Sequence, residues 1–527
     1  MEFARIHRAL HSLAMAALSC AAVMLCLGLG CTQKFPIDDN RMVIALPGTP
    51  VSLDPRLATD AYGEQILQMT HASLLRLDAA GNPTPELAQV WESPDSQTYI
   101  FRLKDGVTFH NGKKLSSADV KDTFTWILDP VNRSPHRALY AVIESIETPD
   151  PLTVVFRLSE PFAPFLSTMV RGIVPSGSPS GGYAPPEGAG PYRINYVSPD
   201  SEADLSAFDG YIGGAPSIRA ITVKFIPDSN VRFLELRAGS VNFCLNCVDP
   251  DMLPAFDNAA NLVVEEAPGG NVSYIGFNLR DRALSDVRVR RAIALSLDRE
   301  AIVRTIWSGR ADIVESILPP GSWAYAKELP AAGVDKSRAK RLLDEAGYRD
   351  PDGDGPAPRL RLVYKTSQNE VRRRVATVVQ EQLRQVGIQV EIQSLEWGTF
   401  FSDIRKGNFQ LYGLTWVGIS DPDIFHYAFH ADSVPPNGAN RGWYANPMIN
   451  RLTEEARRET SREKRRDMYL EVQRIMARDL PVLPLWAARN ILVRDRRLHG
   501  FVMTPDESYF SVRTMQIIAA PNTLKAP

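Results

Sequence analysis

A chain of 527 residues with 44% hydrophobic side chains can bury a large core and has the length of roughly two to four domains. Its 59 basic and 61 acidic residues leave a formal net charge of −2 and are spread along the chain, so a nucleic-acid or other polyanionic partner is not implied. The mixed charge run from Arg457 to Asp467 reads as a solvated helix face.

In chain order, the first element is a leader. Arg5 and Arg8 precede an almost purely apolar stretch from Leu13 to Leu27, and no further charge appears until Lys34. That order of charge, apolar core and small residues predicts a signal peptide, where a membrane anchor would need about 20 apolar residues and no small-residue exit. The run ends Leu27-Gly28-Leu29-Gly30-Cys31, which resembles the lipobox of bacterial lipoproteins. Gly28 departs from the usual leucine three places before the cysteine, and Cys20 would leave a very short apolar core. Residues 1–30 are therefore expected to be removed, with Cys31 lipidated as the mature N-terminus. Each buried methylene of an acyl chain contributes about 0.8 kcal/mol, so more than one chain tethers a soluble domain firmly. The expected location is the cell envelope, on the extracytoplasmic side.

Further along, the stretch from Pro175 to Gly190 is rich in Gly, Ser and Pro and reads as an irregular connection. Cys244-Leu245-Asn246-Cys247 is a lone C-x-x-C. A zinc site would need a second such pair and a redox motif a different fold context, which leaves a local disulfide or two quiet thiols. Val289, Ile293 and Leu297 make one helical stripe; Ala339, Leu342, Leu343 and Ala346 make another, ended by Gly347. Leu360, Leu362 and Tyr364 alternate as a strand, Val371, Val375, Val379, Leu383 and Val386 recur at helical spacing up to Gly387, and Ile388, Val390 and Ile392 alternate again. Residues 360–392 thus read as a β-α-β unit. Met468, Val472, Ile475 and Met476 form a third stripe. Helices with one apolar face laid on strands predict an α/β architecture. The chain contains no G-x-S-x-G, H-E-x-x-H or P-loop, nor a G-x-G-x-x-G after a strand, so a peptidase or other enzyme is disfavoured.

A succession of short motifs then carries a family resemblance over nearly the whole mature chain. Leu53-Asp54-Pro55, Pro85-Glu86-Leu87-Ala88 and Trp91-Glu92 lead into the run from Tyr99 to Gly112 and Ser117-Ala118-Asp119-Val120. Gly190-Pro191-Tyr192, Gly276-Phe277-Asn278, Asp286-Val287-Arg288-Val289-Arg290, Asp298-Arg299-Glu300, Glu345-Ala346-Gly347-Tyr348, Trp397, Trp416 and Pro481-Val482-Leu483-Pro484-Leu485 follow in order. This sequence resembles the bacterial extracellular solute-binding proteins that include oligopeptide, dipeptide and nickel binders, the substrate-binding lipoproteins of ABC importers.

The resemblance implies a two-lobed periplasmic-binding-protein fold, hinged, with an extra N-terminal subdomain inserted in lobe I. Lobe I would comprise residues 35–71, 184–270 and 488–527, the inserted subdomain 72–183, and lobe II 271–487. It implies capture of peptides or a related small solute by lobe closure, delivery to a permease and its ATPase, a monomer, and neither cofactor nor catalysis. A non-peptide solute (a nickel chelate, haem or an opine-like compound) and a sensory role are the alternatives.

The same resemblance places ligand contacts on the segment from Leu414 to Asp423 and on the loop from Asp60 to Gly63. The expected contacts are therefore Ala61 and Tyr62, with Trp416, Val417, Gly418, Ile419 and Asp421. His136 stands where oligopeptide binders carry a ligand-facing tyrosine, and Trp397 and Phe400 are aromatic candidates for an apolar cleft. One departure matters. In peptide binders an aspartate three residues after the tryptophan pairs with the ligand's α-amino group, and here Ile419 occupies that place. A buried ammonium without a partner costs several kcal/mol, so either Asp421 takes over or the ligand lacks that amine. His426 and His430, four apart, would share a helix face and are candidates for a transition metal; the other reading is a histidine pair beside the cleft.

Overall fold

The structure is a computed structural model and describes residues 40–518 except 181–184, 332 and 354. The expected signal peptide and Cys31 lie outside the described residues. Among those described, no helix is long and apolar enough to cross a membrane.

Three sheets organise the chain. The first has, in spatial order, Leu262–Ala267, Asn490–Asp495, Phe243–Leu245, Arg41–Leu46, Ala220–Phe225, Glu202–Ala207 and Tyr192–Ser198. The second has Ala311–Ile313, Val482–Ala488, Val272–Phe277, Leu411–Trp416, Leu360–Ser367 and Ile388–Leu395. A smaller antiparallel sheet, drawn from residues 88–158, packs Phe101, Phe124 and Phe156 edge to face in a core of its own. The result is the mixed α/β, two-lobed architecture that the motifs imply.

The predicted β-α-β unit shows how the sequence builds this. Leu360–Ser367 and Ile388–Leu395 pair in parallel from Leu360 opposite Ile388 to Ser367 opposite Leu395, which requires a crossover. That crossover is the helix Glu370–Arg384, which buries Val375, Ala376, Val379 and Leu383 against the sheet. Asn369 caps it by accepting from the Arg372 N–H at 3.1 Å. Gly387, at φ +84°, turns the chain back into the second strand. The stripes at 289–297, 339–346 and 468–476 fall on the helices Val287–Ser296, Lys336–Glu345 and Arg462–Asp479. The first two cover the same face of the second sheet, whereas Val472 and Ile475 pack on its other face with Phe400 and Ile404.

The chain passes between the first two sheets in two places, at 268–271 and around Arg489. These crossings lie against each other. A Cβ at Gly269 would sit 1.9 Å from the Ala488 carbonyl oxygen, so only glycine fits there. The Gly270 N–H donates to the Pro505 carbonyl at 2.8 Å, which ties the C-terminal segment to the same joint. The halves also touch through Arg374 and Asp251 at 3.1 Å. Lobe and small sheet touch where the Ala163 N–H donates to the Arg457 carbonyl at 2.6 Å and the Arg457 guanidinium lies 5.1 Å from the Phe162 ring centre.

Candidate ligand-binding site

Between the first and second sheets, beside the two crossings, lies a cavity of about 300 Å³. That is the lower end of the ~300–1,000 Å³ usual for small-molecule sites. Its floor is aromatic: Tyr274, Tyr364 and Trp486 from the second sheet and Trp307 beside them. Its polar groups come from six separate segments, among them Asn246 and Asp249, Asn271, Arg372, Arg489 and Glu507.

Arg372 is the cation of the cavity. The Asn369 cap starts the helix at the cavity wall, so Val371, Arg372 and Val375 of its first turns reach inward. The Arg372 guanidinium has no carboxylate partner among the described residues and lies 5.5 Å from the Trp397 ring centre. Burial pulls its pKa below the ordinary value, opposed by the nearby phenols of Tyr364, Tyr62 and Tyr274; an arginine so placed keeps its charge. The other arginine of the wall, Arg489, is already committed to Glu266 at 3.5 Å and Asp312 at 3.8 Å.

On the opposite side, Asn246 holds a left-handed backbone at φ +53°. Its side chain grips the joint, accepting from the Ile491 N–H at 2.7 Å and donating to Asn490 Oδ1 at 3.0 Å. It lies inside the C-x-x-C, whose Cys244 and Cys247 are placed as a disulfide with Cα atoms 5.6 Å apart. Glu507, from the C-terminal segment, also has a positive φ, +59°, and presents its carboxylate to the cavity. Asn271 donates to Glu507 Oε1 and, through Oδ1, accepts from the Gly418 N–H at 3.3 Å. Burial pushes the Glu507 pKa up, the Asn246 and Asn271 side chains pull it back, and neighbouring Asp506 raises it further.

None of the ten residues expected from sequence to contact ligand forms the cavity wall; several stand directly behind it. Tyr62 feels the charges of both Arg372 and Glu507, and burial raises its phenol pKa. Ala61 is the exposed first residue of the helix Ala61–Thr70. Trp416 stacks on Tyr274 at 5.7 Å and 11°, with Arg441 5.0 Å from its ring centre on the way to a 3.1 Å hydrogen bond with the Tyr274 hydroxyl. Trp397, half exposed, stacks on Phe401. Phe400 is fully buried in the lobe core, so its helical stripe with Ile404 serves packing. Val417 is exposed, Gly418 takes φ +66°, and Ile419 packs partly buried against the core.

Asp421 is occupied. Its Oδ1 accepts from Arg465 Nη2 at 2.8 Å, and the pair is largely buried. Asp423 is likewise paired, to Arg457 at 2.9 Å, with burial raising its pKa and Arg457 opposing. His136 is turned to the backbone, its Nε2 2.7 Å from the Ala58 carbonyl oxygen and its pKa lowered to about 4 by burial and by Arg171. His426 and His430 do share a face, with ring centres 4.4 Å apart. Yet His430 uses both nitrogens: Nδ1 accepts from the Asp432 N–H at 3.1 Å and Nε2 lies 2.9 Å from Glu454. The Arg457 guanidinium stands 3.4 Å from His426 Nε2, which sets a cation against any metal. Burial, then Arg457, lowers the His426 pKa to about 3. Among the described residues no cluster of three or more metal-ligating side chains occurs.

Two α/β halves joined by paired crossings, with a solute-sized cavity at the joint, define a solute-binding protein. The chain belongs to the bacterial extracellular solute-binding proteins of family 5: residues 82–435 match the family described as "Bacterial extracellular solute-binding proteins, family 5 Middle". It is accordingly an extracytoplasmic substrate-binding protein and not an enzyme. It is similar to the oligopeptide-binding protein AppA of Bacillus subtilis, 27% identical over 500 residues that cover 90% of this chain and 91% of AppA. The dipeptide-binding protein of Escherichia coli is 25% identical over 520 residues, covering 92% and 96%. The solved structure of AppA with a nonapeptide superposes with a TM-score of 0.81 at 26% identity, over 91% of this chain and 99% of that one. DppA from Helicobacter pylori, solved with the peptide STSA, gives 0.79 at 25% identity over 91% and 98%.

Proposed function

We propose that this protein captures short peptides, or a closely related small solute, for an ABC importer. Lobe I in this reading is 35–71, 184–270 and 488–527, lobe II is 271–487, and 72–183 is the inserted subdomain. The halves close on the ligand as a monomer, and the closed form delivers it to a permease and its ATPase. The observation that carries the reading is the cavity at the joint with an uncommitted cation, Arg372, facing it. A free guanidinium in a half-apolar cavity suits a carboxylate, which every unmodified peptide carries. The relatives named for oligopeptide and dipeptide binding support the class, and the small volume favours ligands of a few residues over a nonapeptide.

Calorimetry on residues 32–527 with a panel of di- and tripeptides tests it, followed by small-angle scattering with and without ligand. Micromolar or tighter binding with a decrease in radius of gyration is expected; absence of both across the panel overturns the peptide reading. We further propose that Cys31 carries the lipid that holds the domain at the membrane. A Cys31→Ala protein is expected in the soluble envelope fraction, and its recovery in membranes with lipid label attached would count against this.

A further inference from the structure

We infer that Glu507 is the anchor for a protonated amine on the ligand, so that the cavity selects a zwitterion whose ammonium meets Glu507 and whose carboxylate faces Arg372. The inference rests on the capture function proposed above and names the ligand chemistry.

Both carboxylates of the loop where the amine is expected are spent, and of the two carboxylates that line the cavity, Asp249 and Glu507, the first stands in the field of Arg232. Asp421 is held by Arg465 and Asp423 by Arg457, each within hydrogen-bonding distance, and Ile419 is apolar. Glu507 differs in all respects. It lines the cavity, and among the described residues it has no cationic partner. Its contacts are two amides, Asn271 and Asn246. These fix the direction of the carboxylate without neutralising it. A desolvated carboxylate in that state lacks a counter-charge, and an incoming ammonium supplies one. The backbone at Glu507 is left-handed, a conformation a non-glycine residue adopts at some cost, and here it aims the side chain into the joint. Asn271 ties the same carboxylate to the Gly418 N–H, on the loop where the family resemblance expects the ligand. The anchor thus comes from the C-terminal segment and not from that loop.

The test compares wild type with Glu507→Gln, against Ala-Ala, Met-Leu and their N-acetylated forms. Wild type is expected to bind free-amine peptides about a hundredfold more tightly than the acetylated ones, and Glu507→Gln to lose about a hundredfold for the free-amine peptides while binding the acetylated forms as wild type does. Because the substitution removes an uncompensated buried charge, the ligand-free variant is expected to melt at or above the wild-type temperature, which separates loss of the anchor from loss of fold. Glu507→Asp, which keeps the charge, is expected to retain part of the affinity. Undiminished binding of free-amine peptides by Glu507→Gln overturns the inference. If wild type binds no peptide of the panel, the peptide reading fails, and Glu507 is judged by native mass spectrometry of the protein as purified. An amine-bearing solute retained by wild type and lost from Glu507→Gln upholds the anchor. A retained solute without an amine, equal retention by both proteins, or retention of nothing, overturns it.

Discussion

At Asp421 a carboxylate that sequence places beside the ligand turns out to serve the lobe. Its partner Arg465 is buried against Trp323 and Tyr469 and also donates to the Ala456 carbonyl at 3.1 Å. Asp421→Asn would leave that guanidinium with half a partner in a poorly solvated place. The expected cost is about 3 kcal/mol of stability, read from urea melts, with ligand affinity unchanged. A fall in affinity for amine-bearing ligands at constant stability would return Asp421 to the binding site. The histidine pair illustrates the same lesson. Spacing brings His426 and His430 to one face, but what else reaches that face, Arg457 and Glu454, decides their chemistry.

Elements whose signal is local are legible in the chain. The β-α-β unit at 360–392 was readable because alternation, helical recurrence and a closing glycine all lie within one short stretch, and the structure reproduces it strand for strand. The cavity is made of the opposite kind of information. Arg372 sits in Arg372-Arg373-Arg374 at a helix start, and nothing local to that run marks its first member as the one that lines the cavity. Glu507 hydrogen-bonds to Asn271 across 236 residues of chain, a separation at which no periodicity operates. Trp397, Tyr62 and Trp416, which the resemblance picks out, stand near the wall without lining it: Trp397 beside Arg372, Trp416 stacked on Tyr274, and Tyr62 within the field of Arg372. The N-terminal signal differs again, since it is written in the order of side chains and needs no fold to be read.

The molecule as a whole should be acid-labile. Burial lowers the pKa of His71 to about 3, of His110 and His136 to about 4 and of His426 to about 3, from an ordinary 6.5. A lowered folded-state value means that the unfolded chain binds the proton first. The stability these groups carry is therefore complete above pH 6.5 and is lost as pH falls toward their folded values. At pH 5 the loss is at most about 2 kcal/mol for His71, which is fully buried, and smaller for the other three. Glu507 runs the other way: its pKa is raised from 4.5, so its protonation relieves the ligand-free protein just above that pH. Melting temperature is expected to fall between pH 6.5 and 4, and a flat profile would mean that these imidazoles are not held neutral.

The cavity shares its wall with the two crossings, through Asn271, Arg489 and Asn490. On the capture proposed above, a ligand in it sits beside the hinge, where the halves move least. Outside the cavity wall, Phe162 meets Arg457 and Glu160 meets Arg458, contacts that join the small-sheet region to the second half. On the same proposal, opening has to break these contacts too. Strength of grip is then set by the side chains at the hinge, and speed of release also by contacts that never touch the ligand.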